Sequence, residues 1–526
     1  MWGWLMPSAP PQSAPLCALL DDRRDLVHRS LIVRGWRQEA VRIKELKWIP
    51  SLVAGYPCPT QRRQGDPKMT DYAALDRYID ERMPGWTEEL VAFCGISSEE
   101  GDREGLGRAA DWIAARLRRL GASVDVVELP GRPEVPPLVV GDVGAGPRTL
   151  TAVQHYDVQP AVPLELWTSP PYEPAIRDGR LYARGATDNK GELLPRVWAI
   201  EAYLATIGPL PCRVRFLIEG EEESGSAHLD ALLDERPGIR QVEGALSEGG
   251  GVDLSGNPEI DGGVRGICIL ELVCRTISYD AHSSLAMLLP SAPVRLAQAL
   301  ASLYDAAGIP SVAGLSDGIV PPSQAQLAIV DATPLDVLDD IRSEFRIPAL
   351  LGGRDGVAAL RAMTFEPTVN IQGIWSGFIG PGTKTITPAE AHARLDIRLV
   401  PDQDPTAIAA VVRAHLAAGG FDDIKVIELQ GERAYWTQAD DPLLDAAQRV
   451  SEAVFGKPAS RYVALPGAAP MWQVCGRDRV PMTSLGGGAS DCRAHAPDEN
   501  ARLDYVAHAA RITARFLDEF ATLSSS

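Results

Sequence analysis

Downstream of residue 69 the hydrophobic positions alternate between the 3.6-residue period of amphipathic helices and short apolar runs typical of buried strands. Helical periods come first, at 72–93 and 104–119, and Gly121 marks the end of the second helix. The following segments read as strands at 123–128, 136–142, 148–154, 213–219 and 243–247, and as helices at 190–206 and 226–235. This alternation predicts an α/β fold, with a central, mostly parallel sheet that carries helices on both faces.

The pattern changes after Gly266, where a smaller α+β unit is predicted over residues 267–420. Its predicted elements are a strand ICILELVCR, a helix at 291–306, strands at 367–374 and 391–400, and a helix at 405–418. Helical periods return at 442–455 and 504–521. We therefore expect a main domain made of 69–266 and 421–526, interrupted by the inserted unit.

Residues 1–68 differ from the rest of the chain. They contain 11 Lys and Arg against 6 Asp and Glu, a balance of +5, although the whole chain carries −19. The segment lacks the positive start of a secretory signal, and its early aspartates do not fit a mitochondrial presequence. We expect a poorly ordered extension, or an upstream start with translation truly beginning at Met69.

Composition and charge narrow the classes of function. With 45% hydrophobic and 23% charged residues the chain reads as a globular enzyme, which excludes disordered, collagenous and coiled-coil proteins. The acidic excess argues against nucleic acid and anionic membranes as partners, and no apolar run is long enough to span a bilayer. Eight scattered cysteines without a CxxC pair favour a cytoplasmic location.

Candidate chemical groups follow the ends of the predicted strands, where open α/β sheets place their sites. They are His155 with Asp157, Asp188 in a glycine-flanked loop, the carboxylate cluster at 219–226, Glu248, and His495. Taken singly, each has a plainer interpretation: a structural histidine, a helix cap, or a solvated acidic loop. Together they supply two histidines and several carboxylates. Such mixed nitrogen and oxygen ligands suit Zn²⁺, Mn²⁺ or Co²⁺, and shared carboxylates suit a paired-metal site.

Eight sequence blocks, in order, resemble the M20 family of metallopeptidases, especially its carnosinase-like dipeptidases and related carboxypeptidases. The resemblance covers essentially everything from Met69 onward. The blocks are HYDVQP (155–160), ARGATDNKG (183–191), EGEEESGS (219–226), SE (247–248), DAHSS (280–284), VNIQGIWSGFIGPGTKTITP (369–388), ARLDIRLVP (393–401) and HAPDEN (495–500). The family's fold is the di-zinc exopeptidase type of α/β sheet, with an inserted, ferredoxin-like lid and dimerisation domain, which here would be 267–420.

The resemblance implies two divalent metal ions, zinc in the first place and manganese or cobalt as alternatives. One ion would be held by His155, Asp188 and Glu248, and the other by Asp188, Glu223 and His495. The bond between Asp188 and Asn189 is expected to be cis.

Further roles are also implied. Glu222 would be the general base that takes a proton from a metal-bridging water and passes it to the leaving amine. Asp157 would hold His155 in place. From the lid, His282 would stabilise the oxyanion, from its own or a partner subunit, while Arg398 would pair with the substrate carboxylate and Asn370 would contact substrate. A homodimer formed through the lid is expected.

Two departures from the family pattern concern the substrate. Position 248 is Glu where many carnosinase-like members have Asp, and the deacylase and desuccinylase branches also use Glu there. The loop that usually reads like REGGSIP is ALPGAAP at 464–470, so only backbone contacts around Gly467 would persist. We therefore expect a hydrolase of peptide or amide bonds in small, carboxylate-bearing substrates. The alternatives are an N-acyl-amino-acid deacylase or desuccinylase and, more remotely, a non-catalytic binding protein.

Overall fold

The computed structural model describes residue 70 and residues 72–523. Residues 1–68, for which we expect an extension or an upstream start, lie outside the described residues. The helices are α1 Tyr72–Cys94, α2 Arg103–Leu120, α3 Lys190–Thr206, α4 Leu229–Asp234, α5 Ala292–Ser302, α6 Gln324–Ala332, α7 Asp336–Glu344, α8 Gly356–Phe365, α9 Pro405–Ala418, α10 Pro442–Phe455 and α11 Leu503–Thr522. No helix in the described part of the chain has the length and apolar character needed to cross a membrane.

A six-stranded sheet forms the centre of the fold. Its strands are β1 Ser123–Val127, β2 Leu138–Val143, β3 Thr149–His155, β4 Arg213–Glu219, β5 Gly244–Ser247 and β10 Met482–Ser484, in the order β1-β2-β4-β3-β5-β10. Only β2 runs against the other five strands. Apolar side chains of α1, α2, α3, α10 and α11 pack with the sheet in the largest hydrophobic core. The predicted α/β class is confirmed.

A second, antiparallel sheet contains β6 Gly263–Arg275, β7 Asn370–Ser376, β8 Glu390–Leu399 and β9 Lys425–Glu432, in the order β7-β8-β6-β9. Helices α5 and α9 share its hydrophobic core. Strand and helix therefore follow each other as β6-α5-β7-β8-α9-β9, which is the predicted ferredoxin-like arrangement.

The second sheet extends further along the chain than the sequence interpretation allowed. Residues 425–432 form its edge strand β9, paired with β6, whereas the inserted unit was predicted to end at 420. Charged and polar residues interrupt the alternation of KVIELQGE, so the segment does not stand out as a strand.

Helices α6, α7 and α8, inserted between α5 and β7, were not predicted. The helix predicted at 226–235 is shortened to α4 because Gly225 and Ser226 adopt positive φ angles of 92° and 47° and form a turn instead.

Candidate metal centre

Three neighbouring parallel strands bring the candidate ligands to one edge of the central sheet. Strand β3 ends at His155, β4 is followed by the turn that carries Glu222 and Glu223, and β5 is followed by Glu248. The order β4-β3-β5 places the carboxyl ends of these strands side by side. Asp188 precedes α3, and His495 lies in a loop before the final helix.

The structure groups these side chains into two clusters with a shared member. In the first, Nε2 of His155 lies 3.2 Å from Oδ1 of Asp188 and 3.0 Å from Oε2 of Glu248. In the second, Nε2 of His495 lies 2.9 Å from Oδ2 of Asp188 and 3.2 Å from Oε2 of Glu223. The ligand atoms of each cluster all lie within 4.8 Å of one another. Asp188 thus turns one carboxylate oxygen toward each cluster.

The donor set fits a pair of divalent cations. Each cluster combines one imidazole nitrogen with carboxylate oxygens, which is the ligand mixture that Zn²⁺ and related ions accept. The carboxylates crowd against one another. Burial and then the negative charge of Glu248 raise the pKa of Glu222 well above its usual range, and burial also raises the pKa of Glu223. Bound cations would relieve this repulsion.

The two histidines and Asp188 stabilise one another's charged forms. Burial opposes the charged form of His155, but the charge of Glu248 and hydrogen bonds to Asp157 and Asp188 outweigh it and raise the pKa. Hydrogen bonds to Asp188 and Glu223 raise the pKa of His495 to about 10. Burial also disfavours ionised Asp188, yet the two histidines lower its pKa. The clusters therefore hold concentrated charge at a site that is buried around His155 and exposed to solvent at His495.

Asp157 contacts one residue of each cluster, His155 in the first and Glu223 in the second. Nδ1 of His155 hydrogen-bonds the backbone carbonyl oxygen of Asp157 at 3.1 Å and lies 3.3 Å from its Oδ1, while Oδ2 of Asp157 accepts a hydrogen bond of 2.9 Å from the backbone N–H of Glu223. The two contacts at Nδ1 orient the imidazole so that Nε2 faces Asp188 and Glu248. The contact at Oδ2 fixes the turn that carries Glu222 and Glu223.

Asp188 does not cap helix α3 with its side chain. The residue at the N-cap is Asn189, and no side chain caps that end of the helix. The Asp188–Asn189 peptide bond is cis, as expected from the resemblance. Asn189 donates a hydrogen bond of 3.0 Å to Oε2 of Glu248.

Two supporting residues had no predicted role. Glu499, which is fully buried, accepts hydrogen bonds from the guanidinium of Arg184 and from the backbone N–H groups of Gly185, Thr187 and Asp188, at 2.7–3.0 Å. Gln159 donates from its side chain to Oε2 of Glu223 at 2.9 Å. Both residues lie inside the matched blocks, but nothing in those blocks distinguishes a ligand from the residue that holds it.

The residues predicted in the second sheet and the 464–470 loop do not join the clusters. His282 is exposed, and its Nδ1 lies 2.9 Å from the hydroxyl of Ser284; among the described residues, none of its hydrogen bonds or ion pairs reaches a cluster. Nε of Arg398 lies 3.3 Å from Asp396, and Asn370 is exposed beside that aspartate. Gly467 lies in the short strand Leu465–Ala468, which pairs with β6.

Comparison with known proteins identifies the family. The model of peptidase family M20/M25/M40 matches residues 153–519, a range that includes every residue of both clusters. The chain belongs to this peptidase family. It is therefore a metal-dependent hydrolase of peptide bonds.

Relatives in the family align with this chain over most of their length. The mouse protein beta-Ala-His dipeptidase is 28% identical over 474 residues, covering 84% of this chain and 94% of that protein. The Cys-Gly metallodipeptidase DUG1 of Saccharomyces cerevisiae is 26% identical over 410 residues, 72% of this chain and 83% of that protein. The crystal structure of the M20 family metallo-carboxypeptidase Sso-CP2 from Sulfolobus solfataricus superimposes with a TM-score of 0.77 at 29% identity, covering 83% of this chain and 99% of that one.

Proposed function

We propose that this M20 peptidase is a dipeptidase that uses two metal ions, zinc in the first place, held by His155, Asp188 and Glu248 and by Asp188, Glu223 and His495. The observation that carries the proposal is the shared carboxylate, because each oxygen of Asp188 lies within 3.2 Å of a different histidine. The names of the relatives support a dipeptide substrate.

Glu222 is the general base in this proposal. Its carboxylate is largely buried and lies 3.9 Å from Nε2 of His155, beside both clusters. When bound, metal ions at the clusters supply Lewis acidity, which polarises the scissile carbonyl and makes water a better nucleophile. Glu222 accepts the proton of the attacking water and passes it to the leaving amine.

The second sheet and a second subunit complete the site in this proposal. Arg398 binds the substrate carboxylate, and Asn370 and the backbone at Gly467 contact substrate. His282 is exposed, and in the described part of the chain none of its hydrogen bonds or ion pairs reaches a cluster, which favours its delivery to the neighbouring subunit of a homodimer.

The second candidate is an N-acyl-amino-acid deacylase. Glu248, together with Ala464 and Leu465 in a loop that has lost its polar side chains, favours this alternative. Turnover on dipeptides and on N-acyl-amino acids carrying the same leaving amino acid separates the two functions.

The decisive experiment compares Glu222→Gln with Glu221→Gln, its neighbour in the same turn. The carboxylate of Glu221 lies 2.9 Å from His228 rather than at a cluster, so it is a matched control. We expect two metal equivalents in both variants. The turnover number should fall about 10²–10⁴-fold in Glu222→Gln alone, because an amide cannot accept the proton.

Metal analysis and steady-state turnover are measured on the same preparations. Near-normal turnover in metal-loaded Glu222→Gln would contradict the role of Glu222. A metal-loaded wild-type protein that hydrolyses neither dipeptides nor acyl-amino acids would instead support a binding protein.

A further inference from the structure

A cavity of about 540 Å³ opens directly beside the candidate metal centre. Asp188 and Glu248 form part of its wall, together with the glycine loop at 249–251 that follows Glu248. Its volume is in the range of small-molecule sites in proteins. Any ligand in this cavity would therefore lie next to the place where the peptide bond is cleaved.

Much of the cavity wall is apolar and comes from the helices α6, α7 and α8. These helices and the short strand that contains Gly467 contribute Ile329, Val337, Ile341, Leu360, Met363 and Leu465. The wall includes Ala464 and Leu465, two positions at which this chain lacks the polar residues of the REGGSIP loop. Burial of an apolar ligand group against such a wall is favourable because it removes apolar surface from water.

Helix α8, which contributes Leu360 and Met363 to the wall, is anchored by a buried arginine. The guanidinium of Arg265 donates to the backbone carbonyl groups of Met363 and Glu366, at the end of α8. Arg265 also lines the cavity, but its donors are used by the protein backbone. A substrate carboxylate would therefore find no free cation there.

The charged residues of the cavity decide which half of a peptide fits. Glu259 and Asp261 line it, in addition to Asp188 and Glu248. Bound metal ions would neutralise Asp188 and Glu248, but Glu259 and Asp261 would still disfavour the carboxylate of a leaving amino acid in this cavity. Arg398, the proposed partner of that carboxylate, does not line the cavity. The acyl half of the substrate, which provides the scissile carbonyl, lacks this charge.

We propose that the cavity binds the acyl half of the substrate and selects a large apolar group there. This inference rests on the proposed function and adds the substrate class. The apolar group is either the side chain of an amino-terminal residue, as in Phe-Gly, or a fatty N-acyl chain, as in N-octanoylglycine. In both cases an apolar group packs against α6–α8.

The test compares Val337→Trp, which fills the cavity, with Leu335→Trp, its exposed neighbour outside the cavity. In the wild-type protein we expect kcat/KM for Phe-Gly to exceed that for Ala-Gly at least tenfold. Val337→Trp should reduce this ratio at least tenfold, whereas Leu335→Trp should leave it within twofold. Ile341→Thr is a smaller change in the same wall and should lower the ratio less. It replaces Val337→Trp as the test variant if Val337→Trp does not fold.

The substrate panel has three further arms. Gly-Phe should show no such preference, because its aromatic group lies in the leaving half. N-octanoylglycine against N-acetylglycine distinguishes a fatty acyl chain from an amino-terminal side chain. Wild-type ratios near one, or a preference that follows the leaving half, would overturn the inference.

A binding measurement keeps failure of this inference separate from failure of the proposed function. In metal-loaded Glu222→Gln, calorimetry should show Phe-Gly binding at least tenfold more tightly than Ala-Gly, with the difference lost when Val337→Trp is added. Equal binding would overturn the inference. Absence of turnover in the wild-type protein, with this binding difference intact, would instead count against the proposed function alone.

Discussion

The charge balance of the two clusters depends on single side chains. Asp188 is the residue on which both clusters depend, because its two carboxylate oxygens face different histidines. Around it, Glu222, Glu223 and Glu248 would repel one another without a counter-charge. Removal of Asp188 therefore takes away a ligand from both proposed sites, and without bound metal ions the repulsion among the remaining carboxylates is not relieved.

Asp188→Ala should reduce metal occupancy and thermal stability together, since metal binding stabilises the folded state. Metal analysis and thermal unfolding with and without added zinc measure the two effects. Asp491→Ala is a suitable control, because Asp491 pairs with Arg180 in a half-exposed ion pair. Two metal equivalents and an unchanged melting temperature in Asp188→Ala would contradict the role of Asp188 as a shared metal ligand.

The buried Asp261 gives a pH-dependent contribution to stability. Burial raises its pKa to about 6, although Ser484 and the backbone of Gly250 donate hydrogen bonds to it. In the unfolded chain an aspartate titrates near about 3.9. Between these values the unfolded chain loses its proton first, so the free energy of unfolding falls as pH rises and is then constant above the folded pKa.

Asp261→Asn should remove this dependence. Relative to the wild type, the variant should gain up to about 3 kcal/mol in the free energy of unfolding between pH 4 and pH 7. Denaturant unfolding across this range provides the measurement, with Asp491→Asn as the control for the same substitution in an ion pair at the surface. A flat difference for Asp261→Asn would show that Asp261 titrates normally in the folded protein.

At the level of elements, a loop rather than a helix or strand positions the shared ligand. The segment 183–191 is held by Glu499, which bonds three of its backbone N–H groups and the side chain of Arg184. Both members of this ion pair are essentially inaccessible to solvent. Glu499 thereby fixes the backbone from which Asp188 reaches the two histidines.

Glu499→Gln should lower the free energy of unfolding by about 3 kcal/mol, because Arg184 would keep a buried charge without its partner. Metal affinity should fall about 10–100-fold, as is usual when the support of a ligand is lost. Chemical denaturation and metal titration measure the two effects. Asp491→Asn, which breaks an ion pair at the surface, should cost less than about 1 kcal/mol. Unchanged metal affinity in Glu499→Gln would remove its positioning role.

For the whole molecule, the second sheet ends in an apolar edge. Strand β7 pairs only with β8 among the described strands, and it carries Ile374, which is 61% exposed. Phe378 and Ile379 follow it and are also exposed. An edge of this kind associates readily with a second copy through two-fold pairing.

We therefore expect a homodimer by light scattering at micromolar concentration. The double variant Ile374→Lys/Ile379→Lys should be monomeric, whereas Leu254→Lys, at an exposed leucine outside the second sheet, should remain dimeric. A wild-type monomer with full activity would rule out a shared site.

Mixing subunits tests whether His282 crosses the interface. His282→Ala alone should lower the turnover number and leave the metal content intact. In a mixed dimer with Glu222→Gln, one site combines an intact Glu222 with an intact His282, so part of the activity should return. No recovery after confirmed subunit exchange would place His282 outside the neighbouring site.

The sequence alone determined the alternation of strands and helices, the α/β class and the order of the ligand motifs, because periodicity and strand-end residues are local properties. Strand β9 and helices α6–α8 were not predicted from the sequence. Their sequence patterns are weak or short. Strand β9 is stabilised by pairing with β6, and helices α6–α8 are stabilised by packing against one another, and the local sequence does not encode these contacts.

The distances within the site depend on the tertiary structure. Asp188 and His495 are 307 positions apart, and Glu499 reaches the same loop from the far end of the chain. The family resemblance implied that Asp188 would be shared, but only folding brings each of its oxygens to a different histidine. The cavity wall likewise combines residues from α6 to Leu465, so its apolar character arises from packing between distant segments.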